Sequence, residues 1–218
     1  MKKEMGFLSG VQKSLKRIYH FPTNQLGLFN LSQPNSKEAN ILFLGQNMDC
    51  KKAVISNLSD EVSSEYSTSW EFSNGEIKFK VFDLGEHRIA HRAWSDYSAK
   101  MDAVVYIVNA DALTQEELLG PGEELNAQLW EHFWGPREEL NALLSDEAFE
   151  KAPFLIFGLT PTGVLFPLTE RLCYFLGLPN VTIELVDANA RPIKVFVAEA
   201  LHAEEYLDGF KWLSHYIK

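Results

Sequence analysis

Cysteine is scarce: Cys50 and Cys173 are the only two in 218 residues. They lie far apart and lack metal-ligand spacing, so neither a disulfide framework nor a zinc cluster is indicated, and a reducing compartment such as the cytosol suits the chain. No apolar run approaches the roughly 20 residues needed to span a bilayer, and no secretory leader with a small-residue cleavage site reads from the first residues. G-x-S-x-G, H-E-x-x-H and C-x-x-C are all missing, which removes the commonest hydrolase, metalloprotease and thiol-redox signatures. Of the six histidines only His87 lies in a motif, and His20, His132, His202 and His215 have no Cys or carboxylate partners at ligand spacing. Basic charge is short as well. Twenty Lys and Arg against thirty Asp and Glu leave a net charge of −10, which argues against nucleic-acid binding.

What is present suits one compact domain, since 46 % of the residues are hydrophobic and a chain of this length can close a sizeable core. The charge is unevenly placed. Residues 1–20 carry five basic side chains and one acid, a net of +4, whereas residues 111–150 carry eleven carboxylates and Arg137, a net of −10. Two surfaces with two kinds of partner are implied. Within 1–20, Phe7, Leu8, Val11, Leu15 and Ile18 form an apolar stripe with Lys13, Lys16 and Arg17 off it. A basic amphipathic helix of this kind can lie in a membrane interface or pack on the domain. Residues 21–39, with Pro22, Gly27 and Pro34, read as a linker.

From residue 40 strands alternate with helices. "ILFLG", "TSWEF", "IKFKVFD", "DAVVYIVNA", "APFLIFGL" and "PIKVFVAEA" read as six strands. Lys51–Leu58, residues 91–100, residues 167–176 and "AEEYLDGFKWLSHYI" read as helices. Asn74-Gly75 predicts a hairpin between the second and third strands. The continuous apolar strands predict an α/β fold whose sheet is covered on both faces, with one antiparallel pair. A local duplication stands out: Gly120, Pro121, Glu123, Glu124, Leu125, Asn126 and Ala127 recur as Gly135, Pro136, Glu138, Glu139, Leu140, Asn141 and Ala142. It predicts an extra helix at about 120–134, with Leu125, Leu129 and Phe133 on one face and Trp130 and Trp134 beside it. These aromatics either dock the helix or form a binding patch.

The first strand runs into "GQNMDCKK", residues 45–52. That is the setting of a phosphate-binding loop, G-x-x-x-x-G-K-[ST], in which glycines let backbone N–H groups cradle phosphates and a lysine reaches them. Gly45 and Lys51 fit, and Asn47 lies in the loop. Asp49 adds an anion, Cys50 replaces the second glycine, and Lys52 replaces the magnesium-binding hydroxyl. Downstream, "FKVFDLGEH" places Asp83 at a strand end, where such proteins hold magnesium beside a triphosphate.

On these residues the chain resembles the Sar branch of the Sar/Arf small GTPases, which recruits the COPII coat at the endoplasmic reticulum. "ILFLGQN", "FDLGEHRIAHRAWSDY", "ELNALLSDE", "NVTIEL", "NARPIKVFVAEAL" and "YLDGFKWLSHYI" carry the resemblance over about 40–218, apart from the first copy of the duplication. It implies a P-loop small-GTPase fold: a mostly parallel six-stranded sheet with one antiparallel hairpin. It further implies a membrane-associating helix at 1–20, GTP/GDP and Mg²⁺ as ligands, and hydrolysis of GTP. The expected partners are the membrane surface of the endoplasmic reticulum, the COPII coat and exchange factors, met at the cytoplasmic face of endoplasmic reticulum and Golgi membranes. Thr68 matches the switch I threonine that binds Mg²⁺, Asp83 the metal-linked aspartate, and His87 the residue that orients the attacking water. Trp94 and Tyr97 belong to the switch II block.

The departures bear on that activity. Glu86 stands where the family has a switch glycine whose N–H meets the γ-phosphate. Two like charges about 4 Å apart at an effective dielectric near 20 repel by roughly 4 kcal/mol, or about three powers of ten in affinity. The guanine-reading Asn-Lys-x-Asp is replaced by Leu159-Thr160-Pro161-Thr162, leaving no carboxylate for the ring donors, at roughly 1–3 kcal/mol each. The base-supporting loop is Ala198-Glu199-Ala200. The expectation is a pseudo-GTPase whose Lys51 and Lys52 are neutralised internally by Glu86 and Asp49. The alternatives are an active GTPase with atypical motifs, and a membrane-attached adaptor unrelated to coat assembly.

Overall fold

The computed structural model describes residues 37–218 except 46, 59–68, 84–99, 115–122, 161–167, 179–190, 201 and 218, and leaves aside the side chains of 123–127 and 203. Thr68, Glu86, His87, Trp94, Tyr97, Thr162 and the N-terminal stripe fall outside the described residues.

Six strands form one sheet in the order β2-β3-β1-β4-β5-β6. β1 (Lys37–Leu44) lies parallel to β3 (Ile77–Asp83) on one side and to β4 (Ala103–Asn109) on the other. β5 (Phe154–Thr160) and β6 (Ile193–Glu199) continue the parallel run. β2 (Ser69–Asn74) is antiparallel to β3. β5 is buried at every residue and β4 at all but its last, as central parallel strands covered on both faces must be. β2 alternates buried and exposed residues through its first five positions, the mark of a half-covered edge strand.

Each face has its own core. α1 (Met48–Leu58) and α4 (Ala203–Ser214) cover one, bringing Val54, Tyr206, Phe210 and Leu213 against Phe43, Phe79 and Phe157. α2 (Glu123–Ser145) and α3 (Leu168–Leu176) cover the other, with Leu129, Phe133, Leu140, Leu172 and Phe175 packed on Tyr106 and Ile156. The six-stranded, mostly parallel sheet expected from the sequence is the sheet observed.

Boundaries differ at several points. β1 starts at Lys37, so residues 37–39 belong to the sheet and not to a linker; Ala39 is fully buried opposite Phe79. The hairpin turn is Gly75-Glu76, one residue later than Asn74-Gly75. Gly75 has φ +62°, as the first central residue of a primed hairpin turn requires. Asn74 instead donates its side-chain N–H to the Leu207 carbonyl at 2.9 Å, tying the hairpin to α4.

The extra helix expected at 120–134 is not a separate element. The first copy from Glu123 and the second copy up to Ser145 form one 23-residue helix, with Pro136 inside it. Gly135-Pro136 normally marks a helix start or stop, but here Leu129, Phe133, Leu140 and Leu143 bury on one stripe across it. Tyr106, fully buried, adds a polar anchor at the same place, donating to Glu139 Oε2 at 2.7 Å and to the Pro136 carbonyl at 3.2 Å. Burial and Glu139 push the Tyr106 phenol well above its usual range, so the hydroxyl remains a donor.

Candidate functional site

The carboxyl ends of the parallel strands bring together Gly45, Asp83, Asn109, Thr160 and Glu199. In open parallel sheets this edge is where ligands bind, at the strand from which the order runs both ways. That strand is β1, flanked by β3 and β4.

The loop after β1 is short. Gly45 has φ +139°, and a Cβ there would meet the Ile107 carbonyl oxygen at 2.3 Å, so only glycine fits. The helix then begins at Met48, three residues before the expected Lys51. Asn47 explains the early start. Its side-chain oxygen accepts from the Cys50 N–H at 2.9 Å and its carbonyl from the Lys51 N–H at 3.1 Å, an asparagine N-cap followed by the first helical bond. A phosphate-binding loop aims such N–H groups at an anion. Here those of Cys50 and Lys51 are engaged within the chain.

Lys51 is fully buried, and its ammonium donates to Asp83 Oδ1 at 2.9 Å, with the Asp83 side chain 13 % exposed. Among the described residues the carboxylate bonded to Lys51 is Asp83; of the two counter-ions expected from the sequence, Asp49 is exposed and Glu86 lies outside the described residues. Lys52 is exposed on α1. Cys50 is half-buried; burial, with Asp111 and Asp49 nearby, pushes its thiol up to about 12. It is a neutral thiol near pH 7, unsuited as nucleophile or metal ligand. Burial likewise raises the Asp111 carboxyl, partly opposed by His132. Asp111 is an acid that the sequence reading missed. It sits in a short turn after β4 with its N–H held by Asn109 Oδ1 at 2.9 Å, and no motif flags that position.

At the base-reading edge, Leu159 and Thr160 are buried. The Ala200 N–H donates to the Thr160 carbonyl at 2.8 Å, and the Glu199 N–H to Glu205 Oε2 at 2.6 Å. Asn57 of α1 donates to the Ala200 carbonyl at 3.0 Å. His202 Nδ1 lies 3.2 Å from Glu199 Oε2 and 3.7 Å from Glu205 Oε1, so it does have carboxylate neighbours, contrary to the sequence reading. Among the described residues no group of three or more His, Cys, Asp and Glu is arranged to hold a metal ion.

In this arrangement the described groups at the positions of a magnesium triphosphate are engaged within the chain. The one buried ammonium is paired, Lys52 carries no hydroxyl, and the N–H groups of Cys50, Lys51, Glu199 and Ala200 already have partners. Lys51 and Asp83 are brought together as a phosphate-binding lysine and a metal-linked aspartate would be, and they are bonded to each other.

Comparison with known proteins places this geometry. The model of the ADP-ribosylation factor family matches residues 26–217. A small COPII coat GTPase SAR1 of Nicotiana tabacum is 36 % identical over 197 residues, covering 84 % of this chain and 91 % of the relative. The SAR1 of Giardia intestinalis is 27 % identical, covering 83 % and 91 %. Among solved structures, the Arl6 BBS3 small GTPase of Trypanosoma brucei, with the nucleotide analogue GppNp bound, superposes with a TM-score of 0.58 at 19 % identity, covering 82 % of this chain and 96 % of that one. That likeness is one of fold.

Proposed function

This chain belongs to the ADP-ribosylation factor family, in its Sar branch, and on that premise we propose that it serves COPII vesicle transport between endoplasmic reticulum and Golgi as a pseudo-GTPase. The family's ligand is a guanine nucleotide, and Sar relatives are named as coat GTPases. In this reading the chain keeps the Sar scaffold and acts through contacts with membrane and coat or exchange-factor proteins. Its first 20 residues lie along the cytoplasmic face of the membrane, residues 21–36 link them to the domain, and turnover of GTP is impaired or lost.

The observation that carries the proposal is the Lys51–Asp83 pair, with its fully buried ammonium at 2.9 Å from the carboxylate. A phosphate would have to share the three donors of the Lys51 ammonium with Asp83 or displace it. The altered base-reading residues Leu159, Thr160 and Thr162 and the position of Glu86 act in the same direction.

The test is to extract nucleotide from the purified native protein and then titrate it calorimetrically with GTP and GDP in magnesium. The expected result is no bound guanine nucleotide and no sub-micromolar affinity. Bound GDP or GTP, or sub-micromolar binding, would favour the second reading. That reading, an active switch with atypical motifs, is supported by the retention of Lys51, Thr68, Asp83 and His87. Loss of single-turnover hydrolysis in His87→Ala would then establish it. A third reading is a membrane-attached adaptor outside coat assembly; it would be favoured if the protein failed to bind Sar-type coat and exchange-factor partners while remaining on membranes.

A further inference from the structure

α2 is held by buried side chains and by Trp130, and Trp134 lies outside that packing. Leu129 and Phe133 are buried, and Trp130 is half-buried, 5.5 Å from the Tyr174 ring and 5.2 Å from Phe175. Trp134, one turn further on, is 61 % exposed, and Tyr174 of α3 is 64 % exposed. Among the described residues the only other exposed large apolar side chain is Tyr216. Trp134 follows Trp130 by one turn of α2, and Trp130 packs on Tyr174, so two of the three lie on the neighbouring helices α2 and α3. Trp130 and Trp134 both come from the first copy of the duplication; fifteen residues later their counterparts are Ser145 and the buried Phe149. The exposed aromatic is thus particular to the added copy.

Charge says what would cover it. On a helix, residues three and four apart share a face. Trp134 has Glu131 at i−3 and Glu138 at i+4, both exposed, and Tyr174 has exposed Glu170 at i−4. Two cations lie nearby. Arg137 is committed, its guanidinium carbon 5.1 Å over the Trp130 ring, and Arg171 is half-buried. In sequence, the stretch 111–150 that contains α2 carries a net charge of −10. The Arg137–Trp130 stack is an internal example of what these rings accept: a cation over an aromatic face. We propose that the α2–α3 seam, centred on Trp134 and Tyr174, docks a basic segment of a partner protein, one in which arginine or lysine alternates with apolar side chains. The apolar side chains would lie on the two exposed rings and the cations on Glu131, Glu138 and Glu170. This inference does not depend on whether a nucleotide is bound.

Fluorescence anisotropy of a labelled, end-blocked peptide alternating arginine with leucine, titrated with the full chain, tests the proposal. A matched peptide with glutamate in place of arginine is the control. Saturable binding of the basic peptide alone, weakening as salt rises, is expected. Trp134→Ala should weaken it at least about tenfold, the scale of a tryptophan anchor, and Glu131→Lys with Glu138→Lys should abolish it. These positions are exposed, so unchanged thermal melting of each variant serves as the folding control. Three results would overturn the proposal: no saturable binding, equal binding by both variants, or a concentration-dependent dimer in sedimentation that Trp134→Ala dissolves. The last would assign the face to a second copy of the chain.

Discussion

Asp83→Ala is expected to lower the unfolding free energy by about 3–5 kcal/mol. The effect comes less from the lost contact than from what remains: an ammonium with no exposed surface and, among the described residues, no other carboxylate bonded to it. Typical domains have only about 5–15 kcal/mol of net stability, so the change would consume from about a fifth to all of it. Lys51→Met should cost less, because Asp83 keeps some access to water. The double change Lys51→Met/Asp83→Leu should recover most of the loss, since apolar replacements of buried pairs are often neutral or stabilising. Urea unfolding followed by tryptophan fluorescence measures all three. A loss below about 1 kcal/mol for Asp83→Ala would put the pair in the class of solvated surface contacts, and the argument for an internally neutralised site would fall with it.

Pro136→Ala should act in the opposite direction, raising stability by about 1–3 kcal/mol. An interior proline has no N–H to offer the carbonyl four residues earlier and crowds it, at a cost of about 3 kcal/mol. The carbonyl of residue 136, which accepts from the Tyr106 hydroxyl, survives the substitution. Thermal unfolding of the variant is the measurement. A melting temperature that stays the same or falls would mean that the helix has settled around the proline and gains nothing from its removal.

How much could be read beforehand follows from the kind of signal. The central strands were legible as continuous apolar runs such as "AVVYIVN" and "FLIFGLT", and β2 and β3 by apolar residues alternating on either side of the hairpin signal. The start of α1 was not. Lys51 looked like the first helical residue because the phosphate-loop template puts a loop before it, whereas Asn47 competes for those same N–H groups and wins the turn locally. The extra helix was expected to end near residue 134 for a related reason: Gly135-Pro136 is a strong local stop, and four buried apolar side chains spanning it override that preference. At the site, residue types identified Lys51 and Asp83 as members, but which carboxylate neutralises the lysine is a matter of distance. Asp83 meets Lys51 from a neighbouring strand end, 32 residues away in sequence. Asp111 left no pattern at all, since its burial comes from packing against elements far along the chain.

A counter-ion built into the chain cannot diffuse away. A fold held together by a soluble anion gains stability in proportion to the logarithm of that anion's concentration, and its abundance rises and falls with metabolite supply. The 2.9 Å contact between Lys51 and Asp83 acts at a fixed, saturating effective concentration, so it contributes equally in a starved cell and a fed one. Through this contact, the share of folded copies does not depend on the supply of any soluble anion.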